Sequence, residues 1–270
     1  MDEEIKRAIE ELGRSAEVRW NRLALSGVLA SGFIALAIAG DNPYFHVAAK
    51  AGFAQGSWGW TLASGILNGA LGGLFATMLL RGARGLAPAR WRDWIDGHPI
   101  RVAAIAGVVV AVLGLLTGGA TYGTGYAQTA ALLNGQPIES AWFGIAKWLA
   151  SVVSYVCGIP GGIFTPSLAI GAGIGDHIVQ LAGPNADGRT LALVSMAAFL
   201  AAATQAPITA SVVVMEMTRS QDLTFHLLMA TLVASWVSRQ FCPRPFYHAM
   251  ALRFYQDATP SAGSRRGSQM

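Results

Sequence analysis

Three stretches of this chain, residues 23–40, 58–80 and 102–116, carry no charged side chain. A helix crosses a hydrocarbon core about 30 Å thick with about 20 apolar residues; the first two runs are about that long and the third is somewhat shorter. Composition decides whether they face a protein core or lipid. Charged residues make up 13% of the 270-residue chain, about half the roughly 25% of a soluble domain. That is too little charge to coat a water-facing surface around a chain that is 53% hydrophobic. In lipid, every backbone polar group must be satisfied within its own helix or in a closed barrel. Runs of this length read as helices, and the expected fold class is all-α, a polytopic membrane protein.

Basic residues set the expected orientation. Arg14, Arg19 and Arg22 precede the first run, only Lys50 follows it, and Arg81, Arg84, Arg90, Arg92 and Arg101 separate the second from the third. The positive-inside tendency puts the amino terminus and the 81–101 loop in the cytoplasm. Two spans separate these segments, so parity agrees. Gly65, Gly69, Ala70, Gly72 and Gly73 give the second run the small-residue spacing that lets membrane helices pack closely. The start, MDEEIKR, is charged where a signal peptide needs an apolar segment, so no cleavable signal peptide is expected. The net charge of +4 is modest and falls between apolar runs, which does not suggest a nucleic-acid partner. Cys157 and Cys242, and likewise His177, His226 and His248, lack metal-ligand spacing, and no metal or cofactor is expected. No nucleophile–base constellation points to an enzyme.

Beyond Thr117 the pattern becomes irregular. GGATYGTG at 118–125 interrupts any helix, 126–133 reads as a short helical piece, and 142–156 is apolar but short. Residues 158–162 break the chain again before a helix over 163–181, and apolar helices over 191–203, 208–217 and 223–237 follow. Interrupted hydrophobic segments of this kind suggest discontinuous helices around a buried site. Within the 142–156 segment, Lys147 is expected to snorkel or to bind a carbonyl. IEELGRS at 9–15 echoes VMEMTRS at 214–220, hinting at two repeats of which the first is mostly missing.

Three motifs could carry chemistry. In GIPGGIFTPS at 158–167, Gly161 and Gly162 leave the backbone accessible, and Pro166 suits the first turn of a helix. The free N–H groups of Ile163 and Phe164 would lie at a helix amino terminus, which carries about half a positive elementary charge and accepts anions. The same residues also fit a plain helix start with no ligand. In PFYHAMA at 245–251, the Tyr247 hydroxyl could donate to an anion, or the ring could simply sit at the membrane interface. Of Glu10 and Glu11, a carboxylate at a buried helix end could shuttle protons; at a charged amino terminus it is equally a surface acid near Arg14.

The first of these motifs resembles the GxFxP-type motif of CLC chloride channels and proton-coupled chloride transporters, with Thr165 where small residues are usual. The Pro-x-Tyr segment and IEELGRS are similar to two further segments of that family. The resemblance covers residues 9 to about 255. It implies a partial CLC fold, the second repeat with its broken helices plus the end of the first. Residues 1–15 would be a charged start with the remnant of a first-repeat helix, 16–256 the transmembrane region, and 257–270 a disordered tail. It further implies chloride channel or chloride/proton antiport activity in a cell inner membrane or plasma membrane. Gly162, Ile163, Phe164 and Tyr247 would bind the anion, and Glu11 would transfer protons if buried. Family members are homodimers, so residues 23–40, 208–217 and 223–237 would form an interface. No GSGIP-like or GREGP-like segment occurs. The single chain is therefore expected to supply only part of an anion path, or to be an inactive or regulatory subunit that assembles with a separate first half.

Overall fold

The structure is a computed structural model that describes residues 22–38, 40–47, 58–138, 140–158, 161–183 and 187–258, with side chains through residue 252. Glu11, the IEELGRS echo and the 259–270 tail lie outside the described residues. Two compact units emerge, residues 1–43 and 44–270. The first holds α1 (Arg22–Ile38), an apolar helix in which Ser26 and Ser31 donate their hydroxyls to the carbonyls of Leu23 and Val28.

The second unit contains ten α-helices and a short 3₁₀ turn (Gln221–Leu223) among its described residues, and no strand occurs among the residues described in either unit. The α-helices are α2 (Trp58–Leu86), α3 (Ala89–Gly97), α4 (Pro99–Leu116), α5 (Tyr126–Leu133), α6 (Phe143–Val156), α7 (Phe164–Ala182), α8 (Gly188–Thr204), α9 (Pro207–Thr218), α10 (Thr224–Phe241) and α11 (Phe246–Ala258). Two are long and apolar enough to cross a membrane, α2 and α4. Half of the apolar window of α2 is buried in protein, whereas α4 is mostly exposed. With Ile100, Ile105, Val108, Val112, Leu115 and Leu116 exposed, α4 is apolar toward its surroundings, as a lipid-facing helix is.

Helix α8 is the centre of the unit. Asp187 caps its start, accepting from the Arg189 amide at 3.3 Å and from the Thr190 hydroxyl. Every residue from Thr190 to Ala203 is buried, as expected of a helix without a polar face. It ends where Gln205 turns left-handed (φ 58°), and Pro207 then opens α9 at its first turn. Small residues let neighbours approach: a Cβ on Gly72 of α2 would sit 2.6 Å from the Cβ of Ala202 on α8. Buried polar groups join the same helices, with Ser64 Oγ of α2 2.7 Å from Ser195 Oγ of α8.

The 81–101 segment differs from its reading as a basic loop. Helix α2 runs on to Leu86 with a kink at Gly82, whose φ of 63° suits a residue without a side chain. Trp91, Trp94 and Ile95 recur at helical spacing, and they fall in the short helix α3, where the Arg84–Asp96 ion pair (3.3 Å) ties its end to α2.

Candidate functional site

The α7 start is formed by two neighbouring side chains that anchor in different apolar clusters. Ile163 is buried with Phe75, Leu79, Val152, Ile170 and Phe246, while Phe164 packs against the cluster that contains Leu168, Leu193 and Met196. Anchored on both sides, the backbone between them is held in place. No side chain caps the helix, and among the described residues nothing accepts a hydrogen bond from the Ile163 or Phe164 amides. Ser167 folds its hydroxyl onto the Ile163 carbonyl at 2.6 Å, which leaves the amide side of the turn free.

That side opens on a cavity of about 470 Å³. Gly161, Gly162, Ile163 and Pro166 line it from the α7 start, Thr121, Tyr122 and Gly123 from the loop before α5, and Lys147, Ser151, Ser154 and Tyr155 from α6. A Cβ added to Gly161 or Gly162 would meet nothing within 4 Å. Packing therefore does not require glycine at either position, and the lack of side chains leaves the backbone accessible.

Lys147 is the group that sequence reasoning undervalued. It is only 3% exposed and lines this cavity. Its ammonium donates to the Thr121 carbonyl at 2.8 Å and the Gly123 carbonyl at 2.6 Å, and no carboxylate pairs with it among the described residues. It binds carbonyls rather than snorkelling. The signal in the sequence was a lone cation inside an apolar segment, which in a membrane marks function more often than packing.

The cavity combines a helix amino terminus, accessible glycine backbone and one buried cation, with no Asp or Glu among its lining residues. It is suited to an anion. Gly162 and Ile163 line it; Phe164, the next residue in the turn, is not among its lining residues. Tyr247 is not among its lining residues and is 54% exposed. A chain of rings links it to the cavity wall: Tyr247 lies edge-on to Phe246 at 5.5 Å, and Phe246 lies 6.1 Å from Tyr155. Among the described residues no His, Cys, Asp or Glu cluster could hold a metal.

Comparison with known proteins bears on the family and the fold. The sequence profile of the family described as "Voltage gated chloride channel" matches residues 7–239. A protein of Shigella boydii named voltage-gated ClC-type chloride channel ClcB is 35% identical over 185 residues, covering 66% of this chain and 43% of that one. The protein of the same name in Citrobacter koseri is 41% identical over 143 residues, covering 50% of this chain and 34% of that one. The chain thus spans less than half the length of these relatives. Among solved structures, a CLC-type fluoride/proton antiporter superposes with a TM-score of 0.61 at 20% identity, over 75% of this chain and 49% of that one. At that identity the likeness establishes the fold, a partial CLC fold.

Proposed function

Because the chain belongs to the voltage-gated chloride channel family, we propose that it forms one wall of a chloride pathway, in a channel or a chloride/proton antiporter of the inner or plasma membrane. The anion sits at the α7 start, held by the amides of Ile163 and Phe164 and reached past Gly162, with the Tyr247 hydroxyl as a third donor from outside the cavity lining. The single observation that carries this reading is the uncapped α7 start opening on a cavity without a carboxylate. Partial charges suit conduction, because an ion held by dipoles can leave again. Lys147 supplies a full charge, but two of its three N–H groups are engaged by carbonyls, so it draws anions into the cavity with at most one donor to offer them. In the antiport form, Glu11 carries the proton.

Gly161 and Gly162 are exposed and Tyr247 is half-exposed, so the described residues enclose the anion position from one side. This favours a second reading, in which the chain is a non-transporting or regulatory subunit that assembles with a complementary first half or with its own copy. Chloride efflux from liposomes separates the two. The transport reading expects flux from purified, folded chain, altered by Gly162→Leu, with Glu11→Gln uncoupling chloride from proton movement. Folded protein without flux supports the subunit reading and ends the stand-alone one.

A further inference from the structure

A second cavity, of about 450 Å³, lies where α2 ends against the link between α10 and α11. Its walls are mixed: Arg81 and Arg244 are charged, while Leu80, Phe241 and Leu252 are apolar. None of its lining residues is Asp or Glu. Both arginines are exposed, and among the described residues neither guanidinium makes an ion pair. Of the other arginines in the basic segment, Arg84 pairs with Asp96 and Arg92 donates to the Ala87 carbonyl, while Arg90 and Arg101 lie outside the cavity. Two free guanidinium forks facing one cavity suit a phosphate, which they can bind in bidentate fashion.

We propose that this cavity holds the headgroup of an anionic membrane phospholipid, its phosphate between Arg81 and Arg244 and an acyl chain along Leu80, Phe241 and Leu252. Depth favours a lipid over a free phosphate. Arg81 follows the aromatic Trp58 on α2 by a length of roughly 35 Å at 1.5 Å per residue, slightly more than the hydrocarbon core of about 30 Å. With Trp58 at one interface, Arg81 lies at headgroup level on the other, the side the basic segment marks as cytoplasmic. The backbone of the walls is held before any lipid arrives. Thr77 Oγ1 of α2 lies 3.0 Å from the Phe241 carbonyl and 2.9 Å from the Gly73 carbonyl of its own helix, sharing its one proton between them, Gln205 Nε2 donates to the Cys242 carbonyl, and the Cys242 thiol donates to the Arg244 carbonyl at 3.2 Å. A site already in place loses less ordering entropy on binding.

Native mass spectrometry of the full chain in neutral detergent tests this with equal amounts of phosphatidylglycerol and phosphatidylcholine, and with inorganic phosphate as competitor. The expected result is one phosphatidylglycerol retained at collision energies that strip phosphatidylcholine. Retention falls at least tenfold in R81Q/R244Q and is unchanged in R90Q, whose arginine lies outside the cavity. Millimolar inorganic phosphate leaves the bound lipid in place. Should the double variant melt early, the single variants R81Q and R244Q carry the test, each retaining less lipid than the unaltered chain. Equal retention of the two lipids, undiminished retention in the arginine variants, or displacement by inorganic phosphate would overturn the proposal; the last would mark a free-anion site instead.

Discussion

Lys147 brings a formal charge into the protein interior with two carbonyl oxygens as acceptors and, among the described residues, no carboxylate partner. Two opposing effects set its contribution to stability. Each hydrogen bond from a charged group contributes about 1.5–3 kcal/mol, whereas taking the cation out of water costs several kcal/mol. These nearly offset, but Lys147→Met also leaves the buried Thr121 carbonyl without its donor, at a cost of about 1–3 kcal/mol, so the melting temperature should fall by a few degrees. Anion binding is the sensitive measurement. A cavity of 470 Å³ is roughly 10 Å across, and two unit charges that far apart attract by about 1.7 kcal/mol at an effective dielectric of about 20. Lys147→Met should therefore weaken chloride binding about tenfold in a calorimetric titration; unchanged affinity would remove Lys147 from the site. The sequence displays this lysine as an isolated cation but not its partners. Thr121 and Gly123 lie 26 and 24 residues earlier, in a glycine loop whose path no periodicity determines. The α7 start was legible because its glycines, proline and two apolar residues act locally, within a single turn.

Among the elements, α5 was legible residue for residue, since Gly125 before it and the Asn134–Gly135 turn after it bound a single apolar stretch. Helix α3 was hidden by its arginines, which weigh toward a loop although its tryptophans keep helical spacing. Tertiary packing shows most clearly on α2, where the small residues at 65, 69, 72 and 73 meet α8 and α10. At Gly72 a side chain has nowhere to go, because its Cβ would already crowd Ala202 of the buried α8. Gly72→Leu should destabilise the chain by about 1–3 kcal/mol, the usual cost of overpacking. Gly161→Ala, whose Cβ meets open space, should leave stability unchanged. Thermal unfolding in detergent checks the pair, and equal melting temperatures for the two variants would contradict the close α2–α8 approach.

At the scale of the whole molecule, lipid explains what the sequence could and could not convey. Lipid forces backbone polar groups to be satisfied locally, so helices and their breaks are visible from composition and punctuation. How the broken helices converge depends on long-range packing: the α7 start and the α11 start meet in one apolar cluster through Ile163 and Phe246, although 83 positions separate them. That convergence brings Phe246 to the cluster but leaves Tyr247 half-exposed beside it. The glycine-lined, uncapped start of α7 is the feature on which the proposed anion pathway depends. Anomalous diffraction from crystals of the chain grown in bromide tests it most directly. A bromide peak within hydrogen-bonding reach of the Ile163 and Phe164 amides is the predicted result; bromide found elsewhere in the 470 Å³ cavity, or absent from it, would contradict an anion site at the start of α7.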